Sequence, residues 1–314
     1  MRTEWVIHIW GKEREELKLT PQEKFHIDMI ERYDHSIFDK VLINIAMHDI
    51  NDVSLFGFLK NELLNVFSDV KEVEIKKCQN DRMLCEYVTF RPYVWDRIGE
   101  DVRIFYSHFK GYISNIKLLN EQYPKRNLII SEYYWSYLMY RMSLGDEYIR
   151  EMIESFNDGK CIYCWCLFDK SNLEYLYTSD DGDFYDLHFR NIEDNIPYIK
   201  NFYINEKIKI HSPGSFVWYD MNNIYNHIGE YNYKMISVDD EILKNIGAAT
   251  YFCELYIWRF LKLESIQEQT FINNISGQFY NAMNNPYTQI YCSKKICKEY
   301  IQDFDRYIIK NKLI

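Results

Sequence analysis

The stretch "DVRIFYSHFKG", residues 101–111, decides the fold class. It is an apolar run typical of a buried strand, and it ends in His108, Lys110 and Gly111. Three further strand patterns precede it and alternate with helical patterns: "WVIHIWG" (5–11), "KVLINIAMH" (40–48) and "VKEVEIKK" (70–77). Strands that alternate with helices in this way predict a Rossmann-type α/β sheet, largely parallel and flanked by helices. Helices are expected over residues 20–37, where Thr20-Pro21 predicts the start, and over residues 133–156.

Polar residues follow the apolar part of two of these strands. In sheets of this type, ligands bind beyond the carboxyl ends of the strands. We therefore expect His108, Lys110 and Gly111 at the ligand edge, and His8 in a similar place on the first strand. Groups that carry positive charge suit a phosphorylated ligand, and glycine lets a ligand approach the backbone closely. The plain alternative is a polar turn at the end of an ordinary strand.

The composition bounds the class of protein. With 314 residues, 47% hydrophobic and 27% charged, the chain is long enough for one large folded domain or a domain with an appendage. A net charge of −10 argues against broad nucleic-acid binding, which depends on clustered Lys and Arg. It leaves room for a small phosphorylated ligand. We find no signal-peptide pattern and no apolar run of about 18 residues, so a cytoplasmic protein is expected.

Two later segments carry candidate chemistry. "HSPGSFVWY" (211–219) predicts a turn in which His211 and Ser215 offer hydrogen bonds and Trp218 a stacking face, although the segment by itself favours a hairpin with a core tryptophan. Glu254 is the one acid in the apolar helical run "YFCELYIW". A raised pKa would suit that residue to a general base, and pairing with Arg259 is the structural alternative.

Metal binding is weighed at two places. "DDGD" (180–183) offers Asp181 and Asp183 as oxygen ligands for Mn²⁺ or Mg²⁺, but Asp-Gly is also a common turn. "KCIYCWCLF" (160–168) alternates like a buried strand. A zinc site is not expected there, because a second pair of cysteines at metal spacing is missing.

In order along the chain, these segments resemble a family of bacterial glycosyltransferases found mainly in capsule and surface-polysaccharide loci. The matching residues are Glu86 and Thr89 in "CEYVTF", His108, Lys110 and Gly111 in "HFKG", Trp135 and Met139, His211, Gly214, Phe216 and Trp218 in the turn segment, and Glu254 in "CELYIW". The chain departs from the family pattern at Phe109, Ser136, Pro213, Ser215, Val217 and Tyr256.

The resemblance implies a GT-A-like fold with a helical C-terminal region. Residues 1–238 would form the catalytic domain, with a nucleotide-binding half (1–111) and an acceptor half (112–238), and residues 239–314 a helical region packed on it. The activity implied is sugar transfer from a nucleotide-sugar donor to a glycan or a lipid-linked acceptor. The alternative is a non-catalytic protein on the same scaffold that binds a carbohydrate or a partner.

The resemblance also assigns roles to the residues. The donor site would comprise Glu86, Thr89, His108, Lys110 and Gly111, and His8 joins them from its place on the first strand. The acceptor site would comprise His211, Gly214, Ser215 and Trp218. We expect Lys110, with His108, to replace a metal as the counter-charge of the diphosphate and Glu254 to act as the base. No cofactor is then required, and Mn²⁺ or Mg²⁺ on Asp181 and Asp183 is the alternative.

The last segment, "KEYIQDFDRYIIKNKLI" (298–314), is amphipathic and rich in lysine. Such a helix either touches an anionic membrane surface peripherally, where lipid-linked acceptors reside, or docks on the rest of the protein. Its mixed charges favour the docked helix.

Overall fold

The computed structural model describes most of the chain up to residue 246 and scattered positions after it. The described residues are 1–81, 83–109, 136–137, 139–166, 192–204, 216–246, 257, 260–261, 266–270, 303, 306–307 and 310.

The described residues form one seven-stranded sheet with the strand order β3-β2-β1-β4-β6-β5-β7. The strands are β1 (Arg2–Gly11), β2 (Lys40–Met47), β3 (Glu72–Gln79), β4 (Val102–His108), β5 (Ile162–Cys166), β6 (Val217–Asp220) and β7 (Ile266–Thr270). The first four strands are parallel to one another. Strand β6 runs antiparallel to both of its neighbours, β4 and β5, and β7 is parallel to β5.

This topology confirms the predicted fold class. A Rossmann-type parallel half, β1 to β4, continues into a second half through one antiparallel strand, which is the GT-A-like arrangement. Strand β7 was not predicted: it lies within the region expected to be helical, residues 239–314, and it pairs with β5. The division of the chain at residues 111 and 238 stays a prediction.

Helices connect and cover the described strands, and seven α-helices have their bounds within the described residues. They are α1 (Pro21–Ile30), α2 (Val53–Val66), α3 (Tyr87–Tyr93), α4 (Asp146–Asn157), α5 (Met221–Ile228), α6 (Glu230–Ile236) and α7 (Asp240–Ile246). The predicted start of α1 is confirmed, because Thr20 and Glu23 cap each other's backbone N–H and Pro21 occupies the first turn. None of the described helices has the length and the apolar run needed to cross a bilayer.

Two predicted helices are longer than the observed ones. The helix expected over residues 20–37 ends at Ile30, and Asp34 accepts from the N–H and hydroxyl of Ser36 in a local turn. The helix expected over residues 133–156 is interrupted at Gly145, whose extended backbone begins α4. A side chain at Gly145 would meet the carbonyl oxygen of Arg141 at 2.7 Å, so glycine is needed at this break.

The two faces of the sheet bury different cores. Odd-numbered residues of β1, such as Trp5 and Ile7, pack with residues of α1, α2 and α4. Val6, from the other face of β1, packs with residues of α3 and α5. His8 has the same parity as Val6 and therefore faces α3.

Two described residues near the end of the chain contact α1 and the residues around it. Tyr307 is buried, and its hydroxyl donates to the Asp28 carboxylate at 3.0 Å. Asp303 pairs with Arg32 at 3.0 Å and accepts from the Tyr137 hydroxyl at 2.8 Å. These contacts fit the docked alternative for the last helix.

Candidate functional site

A row of polar side chains crosses the parallel half of the sheet near its carboxyl edge. In the strand register, His8 of β1 lies opposite Asn44 of β2 on one side and His108 of β4 on the other. Strands that pair in register place such side chains on one face, with neighbouring strands about 4.8 Å apart. The three residues thus form a continuous polar row on the face that α3 covers.

Helix α3 supplies a hydroxyl to this row. Thr89 Oγ1 lies 2.7 Å from His8 Nδ1, and it accepts a hydrogen bond from Asn44 Nδ2 at 2.8 Å. The second Nδ2 hydrogen of Asn44 is donated to Cys78 Sγ at 3.3 Å, which fixes the orientation of the amide.

These bonds determine the proton position on His8. Asn44 already donates to the Thr89 oxygen, and His8 Nδ1 is the acceptor that the described residues provide for the hydroxyl proton of Thr89. A neutral imidazole that accepts at Nδ1 carries its proton on Nε2. His8 is therefore held as a hydrogen-bond donor at Nε2. We refer to Asn44, Thr89 and His8 as the histidine relay.

Burial keeps the ring of His8 neutral. Desolvation is the largest influence and lowers its pKa, the charge of Glu86 raises it, and the neighbouring His108 lowers it further. The resulting pKa is about 4, so the ring is uncharged at neutral pH.

His108 is held by a carboxylate instead of a hydroxyl. Its Nδ1 lies 2.5 Å from Glu86 Oε2, in contact but off the alignment of a regular hydrogen bond. The Tyr106 hydroxyl donates to the same Glu86 oxygen at 3.3 Å. Burial alone would raise the pKa of Glu86, but the charge and contact of His108, the charge of His8 and the Tyr106 hydroxyl lower it overall. Glu86 is therefore a buried carboxylate.

The two histidines keep a little exposed surface, whereas Thr89 does not. His8 is 8% exposed and the His108 side chain 13%, while Thr89 is completely buried. Thr89 was predicted to bind the donor directly; its burial corrects this, since it contacts His8 in place of a ligand.

The sequence analysis missed Asn44. It is the one polar residue inside the apolar strand "VLINIAM", and that isolation was the available signal. Its role depends on Thr89, which is 45 residues further along the chain, so the pattern by itself gave no partner.

Trp218 requires a correction. The ring was expected to offer a stacking face for a sugar, but it is 1% exposed. It stacks on Phe105 at 4.9 Å and on Phe38 at 5.5 Å, and its indole N–H donates to the Ser143 carbonyl at 2.9 Å. Trp218 is a core residue, which is the alternative weighed for this segment.

The buried strand predicted at the cysteines is confirmed by β5. Cys161 and Cys164 are buried free thiols at the start of β5 and within it, as the alternating pattern indicated. Within the described parts of the chain, no group of three or more His, Cys, Asp or Glu side chains is placed to hold a metal ion.

Several predicted site residues lie outside the described residues, and their roles stay predictions. They are Lys110, Gly111, Asp181, Asp183, His211, Gly214, Ser215 and Glu254.

Comparisons with known proteins add little to the geometry. No protein-family model matches the sequence, and no curated protein matches it significantly. A solved structure that is similar is that of mouse xyloside xylosyltransferase 1 in its apo form, with 9% sequence identity. The match covers 86% of this chain and 85% of that one at a TM-score of 0.32, and nothing about the site is taken from a likeness this distant.

Proposed function

We propose that this protein is a glycosyltransferase that binds a nucleotide-sugar donor with its diphosphate against His8 and His108. The observation that carries the proposal is the polar row at the carboxyl edge of the parallel strands. That edge is where α/β sheets of this type bind their ligands.

The two histidines suit a diphosphate because each is fixed by a different partner. His8 presents a neutral N–H donor that the histidine relay holds in place. His108 contacts the Glu86 carboxylate through Nδ1, so a protonated ring would bring a positive charge to the same edge. Two preorganised donors stabilise a phosphate without reorganisation at the moment of reaction.

Transfer of the sugar releases a nucleoside diphosphate. Negative charge grows on the bridging phosphate oxygen as the glycosidic bond breaks, and donors already aimed at that oxygen lower the barrier. In this proposal Lys110, two residues after His108, adds the principal cation. Glu254 takes the proton from the acceptor hydroxyl if the reaction inverts the anomeric carbon.

The biological setting follows from the family resemblance. The acceptor would be a glycan or a lipid-linked saccharide in surface-polysaccharide synthesis. A cytoplasmic location fits the use of nucleotide-sugars, and Mn²⁺ or Mg²⁺ on Asp181 and Asp183 stays the alternative to the lysine.

The test is a ligand screen followed by an assay of turnover. UDP-, GDP-, CMP- and dTDP-sugars are added to the purified protein, and the thermal midpoint is recorded. A ligand at 100 times its dissociation constant adds about 2.7 kcal/mol to the free energy of unfolding, so binding raises the midpoint. The best ligand is then assayed for slow hydrolysis. Hydrolysis supports the transferase, binding without any hydrolysis or transfer supports the non-catalytic alternative, and the absence of binding refutes both the donor site and the proposal.

A further inference from the structure

Trp10 is an exposed tryptophan at the ligand edge of the sheet. It is 39% exposed, whereas Trp5, Trp95 and Trp218, the other tryptophans whose side chains the structure describes, are at most 1% exposed. Among the described residues, none makes a ring contact with its indole or accepts its N–H. A large aromatic side chain left in this state on a central strand calls for an explanation.

The position of Trp10 connects it to the histidine pair. It lies two residues after His8 on β1, so both side chains project from the same face of the sheet, about 7 Å apart along the strand. The pairing of β1 with β4 ends at His8 and His108, while β1 continues beside β2 as far as Gly11. The indole therefore stands just beyond the polar row, in the direction in which a ligand held by that row extends.

The surroundings of Trp10 favour a flat ligand. Its neighbour on β2 is Ala46, a small residue. Gly11, the next residue, packs its backbone against the opposite face, where a Cβ would meet Met47 Sδ at 2.6 Å. The packing of Gly11 against Met47 fixes this end of β1. The small side chain of Ala46 leaves the face of the Trp10 ring accessible.

We propose that Trp10 is the stacking platform for the nucleobase of the nucleotide that His8 and His108 hold by its phosphates. The inference rests on the proposed function, which it deepens by adding the base-binding half of the donor site. Stacking suits any base, because every base has a π-face, and it contributes about 1–3 kcal/mol. The platform therefore sets affinity for nucleotides in general, and the choice among them falls to other groups.

Inorganic pyrophosphate tests the phosphate-binding half of the site without the base-binding half, because it has phosphates and no base. UDP, GDP, dTDP, CMP and inorganic pyrophosphate are titrated by calorimetry into the wild type, Trp10→Ala, Trp10→Phe and His8→Gln. Tyr231→Ala is the matched control, because Tyr231 on α6 is an aromatic side chain that is 70% exposed. Helix α6 contacts Trp95 through Tyr233, and Trp95 precedes β4. Tyr231 therefore lies near the amino-terminal edge of the strands, away from the proposed ligand site.

Trp10→Ala should weaken the tightest nucleotide about 5- to 150-fold, the equivalent of one lost stack, and leave pyrophosphate unchanged. Trp10→Phe should recover most of the loss. His8→Gln should weaken both ligands, and Tyr231→Ala neither. Circular dichroism and the thermal midpoint verify that each variant is folded.

The outcomes distinguish failure of the Trp10 platform from failure of the proposed function. If His8→Gln weakens the nucleotide and Trp10→Ala does not, the phosphate site stands and the platform is wrong. If Trp10→Ala weakens pyrophosphate as much as the nucleotide, the ring supports the site in general and does not read the base, which also overturns the inference. If the wild type binds neither class of ligand, the proposed function fails and takes the platform with it.

Discussion

Replacing Thr89 by valine tests the histidine relay. Valine keeps the branched shape of threonine in α3 but removes the oxygen that lies 2.7 Å from His8 Nδ1 and 2.8 Å from Asn44 Nδ2. Both partners are buried, with Asn44 2% and His8 8% exposed. The substitution therefore leaves one donor and one acceptor without a partner inside the protein.

The magnitude follows from those two groups. A buried polar group left unsatisfied costs about 1–3 kcal/mol, so the two groups left unsatisfied by Thr89→Val should lower the free energy of unfolding by about 2–6 kcal/mol. Thr89→Ser is the matched control: it keeps the hydroxyl and loses one buried methyl group, which costs about 1 kcal/mol. The difference between the two variants isolates the hydroxyl.

Two measurements check this prediction. Urea denaturation at pH 7 gives the difference in unfolding free energy between the variants. Nitrogen-15 NMR of the histidine rings reports the tautomer, which should carry its proton on Nε2 in the wild type and in Thr89→Ser and lose that preference in Thr89→Val. The reasoning is refuted if Thr89→Val is as stable as Thr89→Ser and the His8 tautomer is the same in both.

Three further predictions concern charge at the site. Burial lowers the pKa of His8 from 6.5 to about 4, so between these pH values the unfolded chain binds more protons than the folded protein. The free energy of unfolding should therefore fall by about 3 kcal/mol as the pH drops from 6.5 to 4. Urea denaturation at several pH values should show a smaller fall in His8→Gln, and an equal fall would contradict the low pKa of His8. Glu86→Gln removes the negative charge that contacts His108 Nδ1 and should weaken binding of the tightest nucleoside diphosphate about tenfold by calorimetry, because the ring loses the group that positions it. Unchanged affinity would remove His108 from the phosphate site. Lys110→Ala should abolish transfer while the circular dichroism spectrum stays unchanged, and full activity of the variant would contradict the role of Lys110. Wild-type activity that is lost in EDTA and restored by Mn²⁺ would instead support Asp181 and Asp183.

The parallel half of the fold was predictable because its signals are local. Strands β1, β2 and β4 are apolar runs of a few residues, β3 begins with apolar and charged residues in alternation, and Thr20-Pro21 marks the start of α1. The break at Gly145 escaped prediction because the helical pattern on either side is continuous, and the need for glycine comes from contact with the Arg141 carbonyl. Strand β7 is defined by its pairing with β5, about 100 residues earlier in the sequence.

The sheet edge that carries the site was predictable from the sequence, but the partners that support the two histidines were not. Apolar strands that end in histidine placed His8 and His108 at the carboxyl ends, and the register puts them side by side. Which groups support them depends on strand parity and on how α3 lies over the sheet. Together they make Asn44 a partner of Thr89, and strand parity buries Trp218 in the core on the other face; neither feature is encoded in residue spacing.

The central claim is that the imidazoles of His8 and His108 jointly hold the phosphates of a nucleotide. The most direct measurement is nitrogen-15 NMR of the histidine rings during titration with the tightest-binding nucleoside diphosphate. The account predicts that the Nε2 signals of both residues, assigned through His8→Gln and His108→Gln, shift saturably with one dissociation constant. Saturable binding that leaves both signals in place would contradict it.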